Sequence, residues 1–352
     1  MDRSAFDPLA LELFALQFEQ NAPYRRFCET RGARPQTVAH WTTIPAVPTS
    51  VFKVLELSCL PADERTTVFH SSGTTGHQPS RHFHNAESLT LYEASVLAWF
   101  NPHFQSAIGN WQLAILAPPP AQAPHSSLVH MFETIRRELA PGAAPYLGKV
   151  ANDGAWRLEL EAALRLLQRA AAAEQPLLLL GTAFAFVHLL DHVAERDLRF
   201  ELPPGSCAME TGGYKGRSRA LPQPDLHALI TQRLGIPARR IICEYGMSEL
   251  SSQAYDNALV PLRDPHHAPR NTSSAPRLFR FPPWARVRIV SPETGAEVGE
   301  GETGLIRVFD LANVYSVMAI QTEDLGVRHG DGFALAGRAA TAEPRGCSLL
   351  GV

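Results

Sequence analysis

Cysteine is scarce and scattered. The 352 residues hold five, Cys28, Cys59, Cys207, Cys243 and Cys347. The number is odd, and no Cys-x-x-Cys pair or zinc-ligand spacing occurs. That argues against a disulfide framework or a structural zinc site, and for free thiols in a reducing compartment. Long apolar runs are also missing. None nears the ~20 residues of a membrane span, and Leu177–Leu180 reads as a core strand. Neither sign of charge dominates: a net charge of −3 leaves no basic field for nucleic acid or an anionic membrane. The start, MDRSAFDPLALELF, has no basic region followed by an apolar one, so a cytoplasmic chain without a secretory signal is expected. Internal repeats are absent.

What is there suits a globular enzyme-sized fold. The composition, 45% hydrophobic and 19% charged, supplies ample core. Helical periodicity covers residues 4–30, through Phe6, Leu9, Leu13 and Leu16. Trp41–Lys53, with Pro45 and Pro48, predicts an extended strap. From about 65 to 250, strand patterns alternate with helical ones. Strands are expected at Val68–His70, Trp111–Ala117, Leu177–Leu180, Ser206–Met209 and Ile241–Cys243. Helices are expected at Glu87–Trp99, Leu128–Leu139, Asp153–Ala173, Thr182 to about Glu195 and Gln223–Leu234. That rhythm implies a largely parallel α/β sheet covered on both faces, with ligands at the carboxyl ends of its strands. Beyond about 260 short β segments take over, at Ala285–Val290, Gly304–Phe309, Val314–Ile320 and Phe333–Ala336, predicting an antiparallel, barrel-like subdomain. The expected division is 1–60, a helical and extended segment; 61–260, an α/β core; 261–338, a β-rich subdomain; and 339–352, a tail.

Four stretches carry chemistry. Ser71-Ser72-Gly73-Thr74-Thr75-Gly76 is a loop of small residues whose backbone N–H groups and hydroxyls suit a polyphosphate. No Gly-Lys-Ser/Thr follows, so it is not a Walker A loop. Gly212-Gly213 follows a strand. Glu244-Tyr245-Gly246-Met247-Ser248-Glu249 ends another. Thr322-Glu323-Asp324-Leu325-Gly326 precedes Gly337-Arg338. Each also has a plainer reading: a surface turn for the Ser/Gly/Thr loop and for Gly212-Gly213, core residues for Tyr245 and Met247, a helix cap for Glu249, and a turn carboxylate for Asp324.

In this order the four resemble the adenylate-forming superfamily of acyl-CoA synthetases, nonribosomal-peptide adenylation domains and firefly luciferase, over residues ~65–340. Ile44-Pro45, Pro48, Phe52-Lys53, Pro79-Ser80-Arg81, His125-Ser126-Ser127-Leu128 and Arg345-Gly346-Cys347-Ser348 narrow the resemblance to the acyl-protein synthetases of bacterial bioluminescence. The resemblance implies an adenylate-forming α/β fold and an ATP- and Mg2+-dependent ligase that makes acyl-AMP from a carboxylic, by family default fatty, acid. It also implies acyl transfer to the chain's own Cys347 and onward to a partner such as an acyl reductase. It casts Ser71, Ser72, Thr74 and Thr75 around the phosphates and Glu249 on Mg2+. Ser248 would donate to the α-phosphate and Tyr245 would stack on adenine. Asp324 would take the ribose hydroxyls, and Arg338 the ribose or phosphate. Gly212 and Gly213 would allow close backbone approach. His125 either walls the carboxylate pocket or is an N-cap neighbour.

The sequence departs from that pattern in places. His77-Gln78-Pro79-Ser80-Arg81 stands where a Pro-Lys pair is usual, so the cation is lost or moved to Arg81. Glu323 replaces a glycine. The chain stops 14 residues past Arg338, so the large mobile C-terminal domain and its lysine are expected to be absent; the last lysine is Lys215. Arg81, Lys215 or Arg345 could substitute. Phe184, Phe186 and the Gly212 loop could frame an acyl or aryl pocket. Transfer to CoA or a carrier protein, and a non-catalytic nucleotide-binding subunit, remain the alternatives.

Overall fold

The structure, a computed structural model, describes residues 3–71, 78–104, 111–140, 144–212, 219–256 and 277–339. The chain forms two compact units. One comprises Met1–Val96, Gly246–Ala254 and Leu278–Glu343, the other Leu97–Tyr245, Tyr255–Arg277 and Pro344–Val352.

The second unit holds the parallel sheet. Gln112–Leu116, Leu177–Thr182, Cys207–Thr211 and Ile241–Tyr245 lie side by side in that order, all parallel. Leu177–Thr182 is buried at every position, as a strand covered on both faces must be, and so reads as a continuous apolar run. Leu164, Leu167, Leu179, Phe186, Leu190, Ala208, Ile230 and Ile241 belong to one core cluster. Three of its helices have a local reason to start or stop. Ser126 caps Ser127–Leu139 by accepting from Val129 N–H at 3.3 Å, and Thr182 caps Ala183–Glu195 through Ala185 N–H. Gln223–Leu234 ends on Gly235 in the left-handed region, φ 71°.

The long helix expected over Asp153–Ala173 is shorter. Gly148–Val150 pairs antiparallel with Trp156–Leu158, and the helix is Leu160–Ala171. The Asp153 carboxylate accepts from Ala155 N–H at 2.9 Å and Gly154 adopts φ 77°, so a turn outcompetes the helical period there.

The first unit is mainly antiparallel. Its strands run Ala285–Val290, Thr303–Asp310, Ala319–His329, Gly332–Arg338, Phe279–Arg280, and Val47–Pro48 adds in parallel to Ala319–His329 through Val47↔Ile320. The strap expected at Trp41–Lys53 is thus pinned to the sheet, between a short 3-10 turn, Trp41–Thr43, and the helix Val51–Val54. The N-terminal helical segment is split into Arg3–Gln20 and Ala22–Glu29 by Asn21, whose side chain accepts from Tyr24 N–H. The strand expected at Val314–Ile320 begins only at Ala319. Before it, the Asp310 carboxylate accepts from Ala312 N–H, and the Asn313 amide donates to the carbonyl of Val317, which holds the backbone in a loop.

One expectation is corrected. The strand that leads into Ser71–Gly76 is not part of the parallel sheet. Thr67–His70 pairs antiparallel with Arg81–His84 as a separate two-stranded ribbon. Ser71 N–H donates to the Ser80 carbonyl and Ser80 N–H to Ser71 Oγ, extending the ladder by one rung. Ser72 to His77 lie outside the described residues.

Candidate active site

In the first unit, groups converge on Glu249. Strand alternation from Ser80 to His84 puts Ser80, His82 and His84 on one buried face and Arg81 and Phe83 on the other. Ser80 Oγ donates to Glu249 Oε1 at 2.7 Å, and Ser248 Oγ donates to Glu249 Oε2 at 3.0 Å. His82 Nδ1 lies 2.7 Å from the Ser248 carbonyl. Because a carbonyl only accepts, Nδ1 carries the proton. Burial holds the His82 imidazole below its ordinary pKa, so the ring is neutral. Asn313 Nδ2 donates to the Glu249 carbonyl at 2.9 Å. The segment after Glu249 is fixed by Asp310, which accepts from Ser251 N–H and Ser252 Oγ; burial pushes its carboxyl up to about 6. Glu249 is 1% exposed, and among the described residues no cation pairs with it. No helix begins at Glu249, which removes the capping alternative.

Asp324 and Arg338 also belong to this unit. Asp324 lies within the strand Ala319–His329, not in a turn. Arg338 Nε stands 3.1 Å from Asp324 Oδ1 while its terminal nitrogen donates to Glu323 at 2.6 Å. Arg81 points away from Glu249. It pairs with Glu56 at 2.9 Å, a carboxylate shared with Arg65.

In the second unit, Gly212 and Glu244-Tyr245 stand at the carboxyl ends of parallel strands, with Thr211↔Glu244 in register. Tyr245 is 8% exposed, so its burial also suits a core residue. Glu244 is buried, and burial together with the neighbouring Glu210 raises its carboxyl to about 8. Glu210 accepts from His227 Nε2 at 3.2 Å. Asp256 receives Cys243 N–H at 3.0 Å and Arg277 Nε at 2.5 Å. His125 is exposed and directly precedes the N-cap Ser126. Phe186 is a core residue of the sheet-helix cluster. Gly213, Lys215, Arg345 and Cys347 lie outside the described residues.

Sequence reasoning missed Ser80, His82, Asn313, Asp310, Glu210 and His227 as parts of these clusters. The first two had a signal: polar side chains at every second residue of a strand are unusual unless a partner awaits them. The others act through long-range packing that no local pattern marks.

A family profile of acyl-protein synthetases, LuxE, matches residues 3–350. The chain belongs to the LuxE acyl-protein synthetase family. It is accordingly a ligase. Two relatives of this LuxE-family chain are long-chain-fatty-acid–luciferin-component ligases. That of Aliivibrio fischeri is 23% identical over 91% of this chain and 78% of its own length, and that of Vibrio harveyi is 23% identical over 96% and 84%. Among solved structures, a 2-hydroxyisobutyryl-CoA ligase in complex with 2-HIB-AMP and CoA superposes with a TM-score of 0.67, at 14% identity over 95% of this chain and 74% of that one. ATP-bound MatB from Rhodopseudomonas palustris gives 0.51, at 19% identity over 79% of this chain and 49% of that one. At these identities the likeness is one of fold, the adenylate-forming α/β fold. Among the described residues no helix is long and apolar enough to cross a membrane.

Proposed function

We propose that the chain activates a carboxylic acid, fatty by analogy with the two named relatives, and hands the acyl group to a thiol. One carboxylate oxygen attacks the α-phosphorus of ATP and the bond to pyrophosphate breaks, giving acyl-AMP. The thiolate of Cys347 then attacks the acyl carbon and AMP leaves with the bonding pair, giving a thioester that passes to a partner protein. Catalysis of the first step is positioning and charge neutralisation. Ser71, Ser72, Gly73, Thr74, Thr75 and Gly76 supply donors to the leaving phosphates, and Ser248 supplies one to the α-phosphate. Tyr245 stacks on adenine. Asp324 accepts from the ribose, with Arg338 holding that carboxylate in the strand register. Gly212 and Gly213 leave room for the acid.

The observation that carries this reading is Glu249: a buried carboxylate at the end of a Tyr-Gly-Met-Ser-Glu segment, each of whose oxygens accepts from a serine hydroxyl, and paired with no cation among the described residues. That donor set fits a hard divalent cation, and Glu249 would hold Mg2+. When bound, the ion would neutralise phosphate charge. ATP–pyrophosphate exchange with a panel of fatty and aromatic acids tests the reading. Exchange with at least one acid, lost in Glu249→Gln, is expected; no exchange with any acid refutes acyl activation. A second reading, transfer to CoA, draws support from the CoA-ligase fold neighbour and predicts AMP release on adding CoA to a Cys347→Ser variant.

A further inference from the structure

We propose that Ser80 and His82 are positioning residues for Glu249, so that the strand leaving the phosphate loop sets where the metal-binding carboxylate stands. This rests on Glu249 holding a divalent cation. Three observations support it. First, the two side chains share the buried face of one short strand, two residues apart, and both reach a segment more than 160 residues away in sequence, 169 for Ser80 and 166 for His82. Second, they grip complementary parts of that segment. Ser80 takes the carboxylate itself at 2.7 Å, and His82 takes the carbonyl of the preceding residue at 2.7 Å. With Asn313 on the Glu249 carbonyl, the backbone is fixed on both sides of the Cα that carries the carboxylate. Third, neither partner is an arginine or lysine. A hydroxyl on the carboxylate and an imidazole N–H on the preceding carbonyl leave the carboxylate without an ion pair, whereas an arginine or lysine there would compete with the cation. Arg81, the one cation of this strand, is turned to the opposite face and occupied by Glu56. Outer partners of this kind tune metal sites by about 10–100-fold in affinity.

The test measures the Mg2+ dependence of nucleotide binding without turnover. The readout is the thermal shift given by α,β-methylene-ATP at rising Mg2+, with pyrophosphate exchange measured alongside. Ser80→Ala is expected to raise the Mg2+ midpoint about 5- to 10-fold while the unliganded protein melts within a few degrees of wild type. Should Ser80→Ala not fold, Ser80→Cys, near-isosteric and a weaker donor, carries the same expectation. At His82, asparagine places an N–H where Nδ1 stands and glutamine places it where Nε2 stands. His82→Asn should therefore keep the wild-type midpoint, and His82→Gln should shift it as Ser80→Ala does. Equal midpoints in wild type and Ser80→Ala, or no Mg2+-dependent shift in wild type, overturns the proposal. So do His82→Asn and His82→Gln variants that behave alike. A wild type that shows the shift but exchanges pyrophosphate with no acid refutes acyl activation alone and leaves the positioning claim to the midpoints.

Discussion

Asp324 and Arg338 face each other across neighbouring antiparallel strands, in direct register, with the guanidinium 3.1 Å from the carboxylate. The arginine's other edge holds Glu323 at 2.6 Å. An arginine fixed by two carboxylates can present Asp324 in one orientation. Asp324→Ala is expected to raise the KM for ATP about 10- to 100-fold, the range for losing hydrogen bonds to a charged group. Arg338→Ala should raise it less, because the carboxylate remains but loses its brace. Initial-rate kinetics at varied ATP check this; an unchanged KM in Asp324→Ala removes the ribose assignment.

Glu244 should make the folded state pH-sensitive. Its ordinary value is 4.5 and burial beside Glu210 raises it to about 8. Below 4.5 both folded and unfolded chains hold the proton, so nothing is lost. Between 4.5 and 8 the unfolded chain releases it and the folded chain keeps it, so stability falls as pH rises through that window and levels off above it. Asp310, raised from 3.8 to about 6, adds a fall of the same sign at the acid end. Glu244→Gln is expected to flatten the slope above pH 6 and to be more stable than wild type at pH 7.5, by on the order of 3 kcal/mol. Urea denaturation of both proteins at pH 5, 6.5 and 8 reads this directly.

The pair between buried Asp256 and half-buried Arg277 should be costly to break. Asp256 is fully buried and also accepts Cys243 N–H, while Arg277 also donates to the Ile241 carbonyl. Asp256→Ala leaves the Cys243 donor unmet and the guanidinium without its carboxylate, and is expected to cost about 3–5 kcal/mol. The fall in Tm measures it; a loss under 1 kcal/mol would mean that water replaces the carboxylate.

Gln17 anchors the loop beside the candidate site. From the first helix its side chain donates to the Asn313 and Val314 carbonyls and accepts from Met318 N–H. Gln17→Leu strands those groups, each worth about 1–3 kcal/mol when buried and unmet. A Tm well below that of the exposed control Glu12→Ala is expected.

Much of this architecture is legible in the sequence because burial leaves local marks. Leu177–Leu180 is apolar throughout because it is covered on both faces, and the helices from Ser127 and Ala183 announce themselves by capping residues. The misreadings have local physical causes too. Asp153-Gly154 forms a turn that helical periodicity hid, and the strand ending at His70, expected among the βα units of the parallel sheet, pairs instead with Arg81–His84 in an antiparallel ribbon. At the candidate site, Glu249 and Asp324 were found by motif. Their partners Ser80 and Asn313 gain meaning only from pairing across long stretches of chain, whereas Arg338 is legible because it, too, lies in a motif.

The most direct test of acyl-protein synthesis is intact-mass spectrometry of the protein after incubation with ATP, Mg2+ and a mixture of fatty and aromatic acids, beside Cys347→Ser. A hydroxylamine-sensitive adduct on the wild type, equal in mass to one acid less water and absent from Cys347→Ser, is the predicted result. An adduct that persists in Cys347→Ser, or no adduct while AMP is released on adding CoA or a carrier protein, would contradict it.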